Sequence, residues 1–263
     1  MTRFAAASAV TPLGDGRYGA TIPAGWDVMG NTDGGFLMAV AARAAADAAD
    51  RPDPVTVTAH FMRPVGAADV TIDTEVLRSG RRFAVVRALM SGESPLMALL
   101  GTYGTLDDSD QVDRLEAGPP DLPPPDECIL VEPTETFPPP FTGQVELRLD
   151  PSDAVFATGV PSGRARVQGW FRLLDDEPPS TMALLMAVDA FPPTIFNTDL
   201  PVAWTPTIEL TAHVRARPRP GWLRCVFTTR FITGGFLEED GEVWDESGRL
   251  VAQSRQLALV PKG

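Results

Sequence analysis

An acidic residue that follows an apolar segment is the first feature of this sequence that points to chemistry. Residues 182–188 are all apolar, and Asp189 comes directly after them. Most of these residues are good helix formers, so the segment predicts a helix that is buried on all sides. An unpaired charge is costly to bury, and a carboxylate in such a place therefore needs a partner or a function. A buried carboxylate with a raised pKa can accept a proton near neutral pH.

The helix that positions this carboxylate is predicted over residues 181–190. Ser180 is a suitable N-cap, and the two prolines at 192 and 193 prevent the helix from continuing. Because the helix macrodipole is negative at its C-terminus, an ionised Asp189 is unfavourable there unless another element compensates. The alternative is that Asp189 turns outward into solvent at a frayed helix end.

Several familiar hydrolytic and metal-binding patterns are missing from the sequence. It has only two histidines, His60 and His213, and both lie in segments with a strand pattern. A histidine metal site and a Ser-His-Asp triad are therefore disfavoured, and no Gly-x-Ser-x-Gly motif is present. The two cysteines, Cys128 and Cys225, do not have the spacing of metal ligands. We expect no metal and no cofactor.

Composition limits the class of protein and its partners. A chain of 263 residues with 44% hydrophobic content can form two domains, each with its own core. The net charge of −13 argues against binding to nucleic acid or to an anionic membrane surface. No run of about 18 apolar residues predicts a membrane span. The N-terminal residues lack a signal-peptide core, and the cysteine usage suits a reducing compartment, so we expect a cytoplasmic protein.

Alternating apolar segments bounded by glycine and proline turns predict a chain rich in strands. Strands are expected over residues 4–10, 17–22, 55–63, 69–79, 82–91, 95–105, 145–149, 164–174, 205–215, 222–232, 242–245 and 250–260. Residues 26–35 predict a loop, and residues 35–49 predict an alanine-rich helix. The segment 107–140 is acidic at first and then carries nine prolines, so we expect an extended linker.

The two halves of the chain repeat the same order of elements and share short words. Residues 58–60 and 211–213 both read Thr-Ala-His, and Phe83 and Phe236 follow matching turns; both pairs are 153 residues apart. The ordered set predicts an internal duplication with domains at 1–106 and 141–263. One helix and a mostly antiparallel sheet in each half define an α+β fold.

The motifs, taken in order, resemble those of the double hotdog acyl-CoA thioesterases, in particular the bacterial acyl-CoA thioesterase II group. The matching segments are Gly34-Gly35, His-Phe-Met-Arg-Pro at 60–64, Asp189, Pro-Thr-Ile-Glu at 206–209 and Val-Ala-Gln-Ser-Arg-Gln at 251–256. The resemblance covers nearly the whole chain apart from the linker. It implies two tandem curved antiparallel sheets, each wrapped around one long hydrophobic helix. It also implies hydrolysis of a fatty acyl-CoA to a free fatty acid and coenzyme A.

By that resemblance the catalytic residues are Asp189, Thr207 and Gln256. Asp189 would take a proton from water, while the Thr207 hydroxyl and the Gln256 amide would hold the water or the carbonyl. Considered alone, Thr207 is also a common strand residue and Gln256 could face solvent. Two departures from the family pattern, Thr-Ala-His at 211–213 and Leu-Ala-Leu after Gln256, concern the choice of substrate.

The duplication indicates how many sites the chain carries. The corresponding first-half positions hold Phe36, Pro54 and Thr102, none of which replaces the proposed groups. Polar residues that the fold alone required would tend to recur in both halves. We therefore expect one active site per chain, built in the second half.

Two further groups of residues are candidates for substrate binding. Arg78, Arg81 and Arg82 cluster at a predicted turn and could bind the phosphates of coenzyme A, as could Arg215, Arg217 and Arg219 at the equivalent end of the second half. Solvated turns are the alternative explanation. Met182, Met186, Trp204 and Phe196 are candidates for the lining of an acyl pocket, although core packing would explain them equally well.

Two other functions are compatible with this fold. A non-catalytic acyl-CoA or lipid binder would retain the same pocket with inert polar residues. A hotdog hydratase or dehydratase is disfavoured, because the one candidate segment, residues 196–201, contains no histidine. We expect a homodimer or a larger homo-oligomer, because exposed sheet faces and edges are rarely left uncovered.

Overall fold

The computed structural model describes residues 3–106, 114–135 and 137–261. The helices are α1 (Arg3–Ala7), α2 (Gly34–Ala49) and α3 (Thr181–Ala187). The strands are β1 (Thr11–Gly14), β2 (Arg17–Ile22), β3 (Asp27–Val28), β4 (Asn31–Thr32), β5 (Asp53–Phe61), β6 (Ala68–Ser79), β7 (Ala84–Ser91), β8 (Pro95–Gly104), β9 (Ile129–Leu130), β10 (Val145–Leu149), β11 (Arg166–Leu173), β12 (Thr207–Val214), β13 (Leu223–Thr228), β14 (Ile232–Thr233), β15 (Phe236–Asp245) and β16 (Leu250–Leu259). None of the helices described is long and apolar enough to cross a membrane.

Fourteen of these strands form one large antiparallel sheet. Their order is β1-β2-β6-β7-β8-β5-β12-β16-β15-β13-β11-β10-β9, with β14 paired to β15, while β3 and β4 form a separate hairpin. Outward from the central β5–β12 pair, the order is β8-β7-β6-β2 on one side and β16-β15-β13-β11 on the other. Corresponding strands of the two halves therefore occupy corresponding places, as the sequence repeat predicts.

The pairing of β5 with β12 is symmetric about one pair of threonines. Thr58 lies opposite Thr211, and their hydroxyl oxygens are 2.8 Å apart. On either side, His60 faces Glu209 and His213 faces Thr56. Residues 153 positions apart thus exchange places across this point, so a local two-fold axis relates the two halves of the chain.

Two buried helices pack against each other and against the centre of the sheet. In α2 the Asp33 carboxylate accepts from the Phe36 N–H at 2.9 Å, and the left-handed Asp50 ends the helix. The many alanines of α2 are buried and let the helix lie close to β5, β6, β7, β8 and α3. In α3 the Ser180 hydroxyl accepts from the Ala183 N–H at 3.2 Å, and all seven helical residues are buried.

Three predictions from the sequence were wrong, one in the type of element and two in its boundaries. Residues 4–10 do not form a strand: Glu177 accepts from the N–H groups of Phe4 and Ala5, and the short helix α1 results. The second helix ends at Ala187, because the Asp189 N–H bonds to the Met186 carbonyl in a tight turn at 3.1 Å. It is therefore much shorter than the long helix that the resemblance implied. Strand β15 begins at residue 236 and not at 242. The prediction failed because the acidic residues 238–240 obscured the alternation that is typical of a strand.

The described part of the predicted linker follows the edge of the second half. It contains one turn of 3₁₀ helix at Pro125–Glu127, and β9 adds a short strand beside β10. The Trp170 indole N–H donates to the Pro123 carbonyl at 2.8 Å. Residues 107–113 and 136, which also belong to the predicted linker, lie outside the described residues.

A buried carboxylate joins the two halves near the N-terminus of α3. Asp53, at the start of β5, is 3% exposed. It accepts from the Thr181 hydroxyl at 3.0 Å, the Leu106 N–H at 2.8 Å and the Arg217 guanidinium at 2.8 Å. Removing this one carboxylate leaves several donors without a partner, and such losses are more costly than the loss of an exposed ion pair.

We expect Asp53→Ala to lower the free energy of unfolding by about 2–4 kcal/mol, because it leaves buried donors and a half-exposed arginine without their acceptor. The melting temperature should fall by roughly 2–4 °C for each kcal/mol, as measured by calorimetry. Asp73→Ala, which removes only the exposed ion pair with Arg17, is the control and should change stability little. Equal losses in the two variants would contradict this role of Asp53.

Candidate active site

The Asp189 carboxylate lies at the N-terminus of α2, the helix of the other half. Its Oδ2 accepts a hydrogen bond from the Gly35 N–H at 2.8 Å. The N-terminus of a helix carries partial positive charge and free N–H donors, so it stabilises an anion. The negative end of α3, which made Asp189 unfavourable from the sequence alone, is thus opposed by the positive end of α2.

Two glycines make this approach possible. A Cβ on Gly35 would lie 2.5 Å from the Leu185 carbonyl oxygen and 2.9 Å from the Asp189 Cβ. A Cβ on Gly34 would lie 2.7 Å from the Asp189 Oδ2 and 3.0 Å from the Phe61 ring. Side chains at these positions would push α3 away from α2. The Gly-Gly pair therefore sets how closely the carboxylate can approach the helix N-terminus.

Asp189 has a second carboxylate as a neighbour in the first turn of α2. Asp33 is 4% exposed, and burial raises its pKa well above the usual range, with a further increase from the negative charge of Asp189. Burial likewise raises the pKa of Asp189 to about 7, an effect that the Gly35 N–H partly opposes. A carboxylate with this pKa is divided between its two protonation states at neutral pH, which suits a general base.

Glu239 is a third buried carboxylate near Asp189. Burial is the main reason that its pKa is raised to about 7, and the charge of Asp189 contributes. Its Oε2 accepts from the Thr194 N–H at 2.9 Å. Glu239 was not predicted from the sequence, although a signal was present: Leu237, Glu239, Gly241 and Val243 alternate as the buried face of β15.

The structure places Thr207 and Gln256 on the same face of neighbouring strands. Thr207 starts β12 and lies opposite Ala258 of β16, two residues beyond Gln256. The pairing is irregular between Thr207 and Glu209, and Ala258, the partner of Thr207, lies on the same side of β16 as Gln256. Gln256 is 8% exposed, and among the described residues its buried Oε1 has no hydrogen-bond partner. An enclosed acceptor of this kind needs a donor, such as a water molecule or a substrate.

The candidates for the acyl pocket lie in different environments. Met182 and Met186 are buried on α3, where they pack in the core. Trp204 is 43% exposed in the loop before β12 and is therefore not enclosed in a pocket. Phe196 is buried in an aromatic cluster with Phe137 and Phe156, at ring distances of 5.9 and 5.7 Å.

The first arginine cluster lies at the far end of α2 from Asp189. Arg78, Arg81 and Arg82 line an open pocket of about 190 Å³ together with Gly80, Phe83 and Val85. The Arg51 guanidinium, just after the C-terminus of α2, contacts the Gly80 carbonyl at 3.4 Å. Since α2 has 16 residues, the two ends of the helix are about 24 Å apart. The structure does not bring this cluster together with Asp189.

The second arginine cluster is partly committed to structure. Arg217 forms the ion pair with Asp53, and the Arg219 N–H donates to the Asp245 carboxylate at 3.1 Å. Arg215 is exposed beside them. Arg217 therefore contributes to the contact between the two halves through its ion pair with Asp53.

Comparison with known proteins agrees with this arrangement. The family model of the acyl-CoA thioesterase N-terminal domain matches residues 22–104, and that of the C-terminal domain matches residues 119–260. A candidate thioesterase II from Thermobifida fusca is 32% identical, with a TM-score of 0.89 over 100% of this chain and 98% of that one.

Two more distant structures share the fold. A protein with a hot dog fold from Alicyclobacillus acidocaldarius is 22% identical, with a TM-score of 0.87 over 100% of this chain and 99% of that one. An acyl-CoA thioesterase II from Mycobacterium marinum is 18% identical, with a TM-score of 0.75 over 99% and 98% of the two chains. The chain therefore belongs to the acyl-CoA thioesterase family. As an enzyme, it is a thioesterase of the hotdog class.

Asp189→Asn should stabilise the protein in a pH-dependent way. The pKa of Asp189 is raised from 3.8 to about 7, so the folded state holds this proton more tightly than the unfolded chain. The parent must then lose stability as the pH rises from about 4 to about 7, and the asparagine variant lacks this loss. The melting temperature of the variant relative to the parent should thus increase between pH 5 and pH 8. Glu93→Gln, at an exposed turn, is the control; a pH-independent difference for Asp189→Asn would refute the assignment.

Proposed function

We propose that this enzyme hydrolyses fatty acyl-CoA with Asp189 as the general base. The observation that carries the proposal is the buried Asp189 carboxylate held at 2.8 Å by the Gly35 N–H at a helix N-terminus. In this place the carboxylate is desolvated enough to have a pKa of about 7, yet it keeps a donor for its ionised form. It can therefore take a proton from water at neutral pH and hold it during the reaction.

The reaction needs one water molecule and no covalent bond between the enzyme and the acyl group. Asp189 removes a proton from water as the water oxygen attacks the thioester carbonyl carbon, and the carbonyl oxygen becomes negative. When this tetrahedral intermediate collapses, the carbon–sulfur bond breaks, and the thiolate of coenzyme A takes the proton from Asp189. The products are the fatty acid and free coenzyme A.

Thr207 and Gln256 are proposed to hold the attacking water. The Thr207 hydroxyl can donate and accept, and the Gln256 amide offers both a donor and an acceptor. Support comes from their shared face on β12 and β16 and from the burial of the Gln256 side chain. Both groups orient the water relative to the carbonyl, so their contribution is mainly to the rate of the chemical step.

Asp189→Asn should lower kcat by roughly 10²–10⁴-fold, because the shape is kept and the base is removed. Thr207→Ala and Gln256→Ala should lower kcat with a smaller effect on KM. Initial rates with a series of acyl-CoA chain lengths measure these effects. Asp199→Asn, an exposed residue in the loop after α3, is the matched control and should retain the parent rate. Parent-like turnover by Asp189→Asn would rule out this mechanism, and an inactive parent would favour a non-catalytic acyl-CoA binder.

We also propose that residues 1–106 and 141–263 are two hotdog domains joined by the segment 107–140, each with its sheet wrapped around its own helix. The matching strand orders and the local two-fold axis at Thr58 and Thr211 support this arrangement. The difference in helix length, 16 residues against seven, then reflects divergence of the second half.

A homodimer or larger homo-oligomer remains part of the proposal. Exposed apolar side chains cluster where β14, β15 and β16 meet: Phe236 lies opposite Leu259, and Leu257 shares the outward face of β16. A contiguous apolar surface of this kind is typical of an interface between subunits.

The pocket of Arg78, Arg81 and Arg82 is the proposed site for the phosphates of coenzyme A. If it is, Arg81→Ala combined with Arg82→Ala should raise KM for acyl-CoA by about 3–10-fold, since each lost arginine–phosphate contact is charge-assisted. The effect on kcat should be small, because the cluster is at the far end of α2 from Asp189.

A thioester of pantetheine, which lacks those phosphates, separates this effect from a general one and should show an unchanged KM. The control is Arg87→Ala, whose arginine forms an exposed ion pair with Glu75. An unchanged KM for acyl-CoA in the double variant would exclude these arginines from substrate binding.

A further inference from the structure

Glu239 and Gln256 face each other across the strands β15 and β16. They are direct register partners, and each is 8% exposed on the buried face of the sheet. Residues in this relation have Cβ atoms about 4.5–5.5 Å apart, so the ends of two long side chains can meet. Within the described part of the chain, the Gln256 Oε1 has no donor. A proton on Glu239 would supply one.

Burial favours the neutral form of Glu239 and outweighs the contacts from Thr194, which lower its pKa. The Thr229 hydroxyl lies 2.7 Å from the Glu238 carbonyl oxygen and must donate to it, because a carbonyl oxygen can only accept. Its single proton is then used, so in the 2.6 Å contact between Thr194 and Thr229 the Thr194 hydroxyl is the donor. The proton of the Thr194 hydroxyl is therefore directed to Thr229, while the Thr194 N–H donates to Glu239.

The charges around Glu239 also favour its neutral form. Asp189 faces it from the end of α3, with Asp33 behind Asp189 at the start of α2, and Glu238 precedes it on β15. The carboxylate of Glu238 pairs with Arg230, whereas no arginine or lysine among the described residues forms an ion pair with Glu239. The charges of Asp189 and Glu238 thus add to burial, which is the main cause of the raised pKa of Glu239.

We propose that Glu239 is a positioning residue of the same site, which holds the Gln256 amide as a neutral carboxylic acid while Asp189 carries the negative charge. Its O–H donates to the enclosed Gln256 Oε1 and so fixes the amide that orients the water. An ionised Glu239 would instead present a second acceptor to Oε1 and would oppose the negative charge that develops on the carbonyl oxygen. This inference rests on the proposed thioesterase mechanism.

The test is the pH dependence of kcat/KM between pH 5 and pH 9.5 for the parent and Glu239→Gln. The parent should show a bell-shaped profile, with the acid limb from Asp189 and the alkaline limb from Glu239, as two interacting groups lose their protons in turn. Glutamine keeps an acceptor for the Thr194 N–H and a donor for Gln256 but cannot ionise. The variant should therefore stay within about threefold of the parent near pH 7 and exceed it about tenfold at pH 9.

Glu238→Gln is the matched control, since it removes a neighbouring charge from the outer face of the same strand. This variant should retain the bell-shaped pH profile. A parent that is active with no alkaline limb would overturn the role of Glu239. So would a variant that loses activity equally at every pH. A parent that hydrolyses no acyl-CoA would instead overturn the proposed function itself.

Thermal unfolding, measured without substrate, tests the protonation of Glu239 independently of the proposed thioesterase activity. The raised pKa of Glu239 means that the parent loses stability as the pH rises from about 4.5 to about 7. Glu239→Gln should remove part of this loss in thermal unfolding, and the same dependence in parent and variant would show that Glu239 holds no extra proton in the folded state.

Discussion

The close contact between the end of α3 and the start of α2 is the constraint on which the site depends. It requires Gly35, since any side chain there would meet the Leu185 carbonyl, and it places the Gly35 N–H at 2.8 Å from Asp189. The base comes from the second half of the chain, but the group that stabilises its charge comes from the first. Neither half alone can form this arrangement, which gives a physical reason why the two halves share one continuous sheet and one helix–helix contact.

The two halves meet at both ends of α3, and the two contacts carry different carboxylates. At the end of α3, Asp189 lies against the start of α2. At the start of α3, Asp53 of β5 accepts from the Thr181 hydroxyl and is paired with Arg217. Because the Asp53 carboxylate is already bound to these donors, its contact serves to join the halves.

The sequence predicted most of the fold because local signals and tertiary packing agree there. The alanine-rich α2 and the strands on both sides of the central pair follow from periodicity and turn residues, and the repeat at 153 residues follows from short shared words. Asp189 stood out because an acid after seven apolar residues conflicts with burial.

The remaining features depend on contacts that no local pattern encodes. The N-terminal residues form a helix because Glu177, which is distant in sequence, caps it. Glu239 lies in the acidic segment 238–240, which has the composition of a loop. Only the register of β15 shows that its side chain points inward. The arginines clustered in sequence as predicted, but their distance from Asp189 depends on which end of α2 the β6–β7 turn contacts.

The electrostatics of the site follow from having three buried acids and one helix N-terminus. The helix offers two N–H donors, one to Asp33 and one to Asp189, and its partial charge of about half a unit cannot balance three full negative charges. Protons must therefore remain on some of these groups at neutral pH, and Asp189 and Glu239 both have a pKa of about 7. Loss of the Asp189 proton produces the working base, and each proton that leaves one of these buried acids makes the folded state less stable. Desolvation thus raises the pKa of Asp189 toward neutral pH, which suits a general base, and at the same time lowers the stability of the ionised folded state. The glycine pair at the start of α2 sets the size of both effects, because it fixes how deeply the carboxylate is buried.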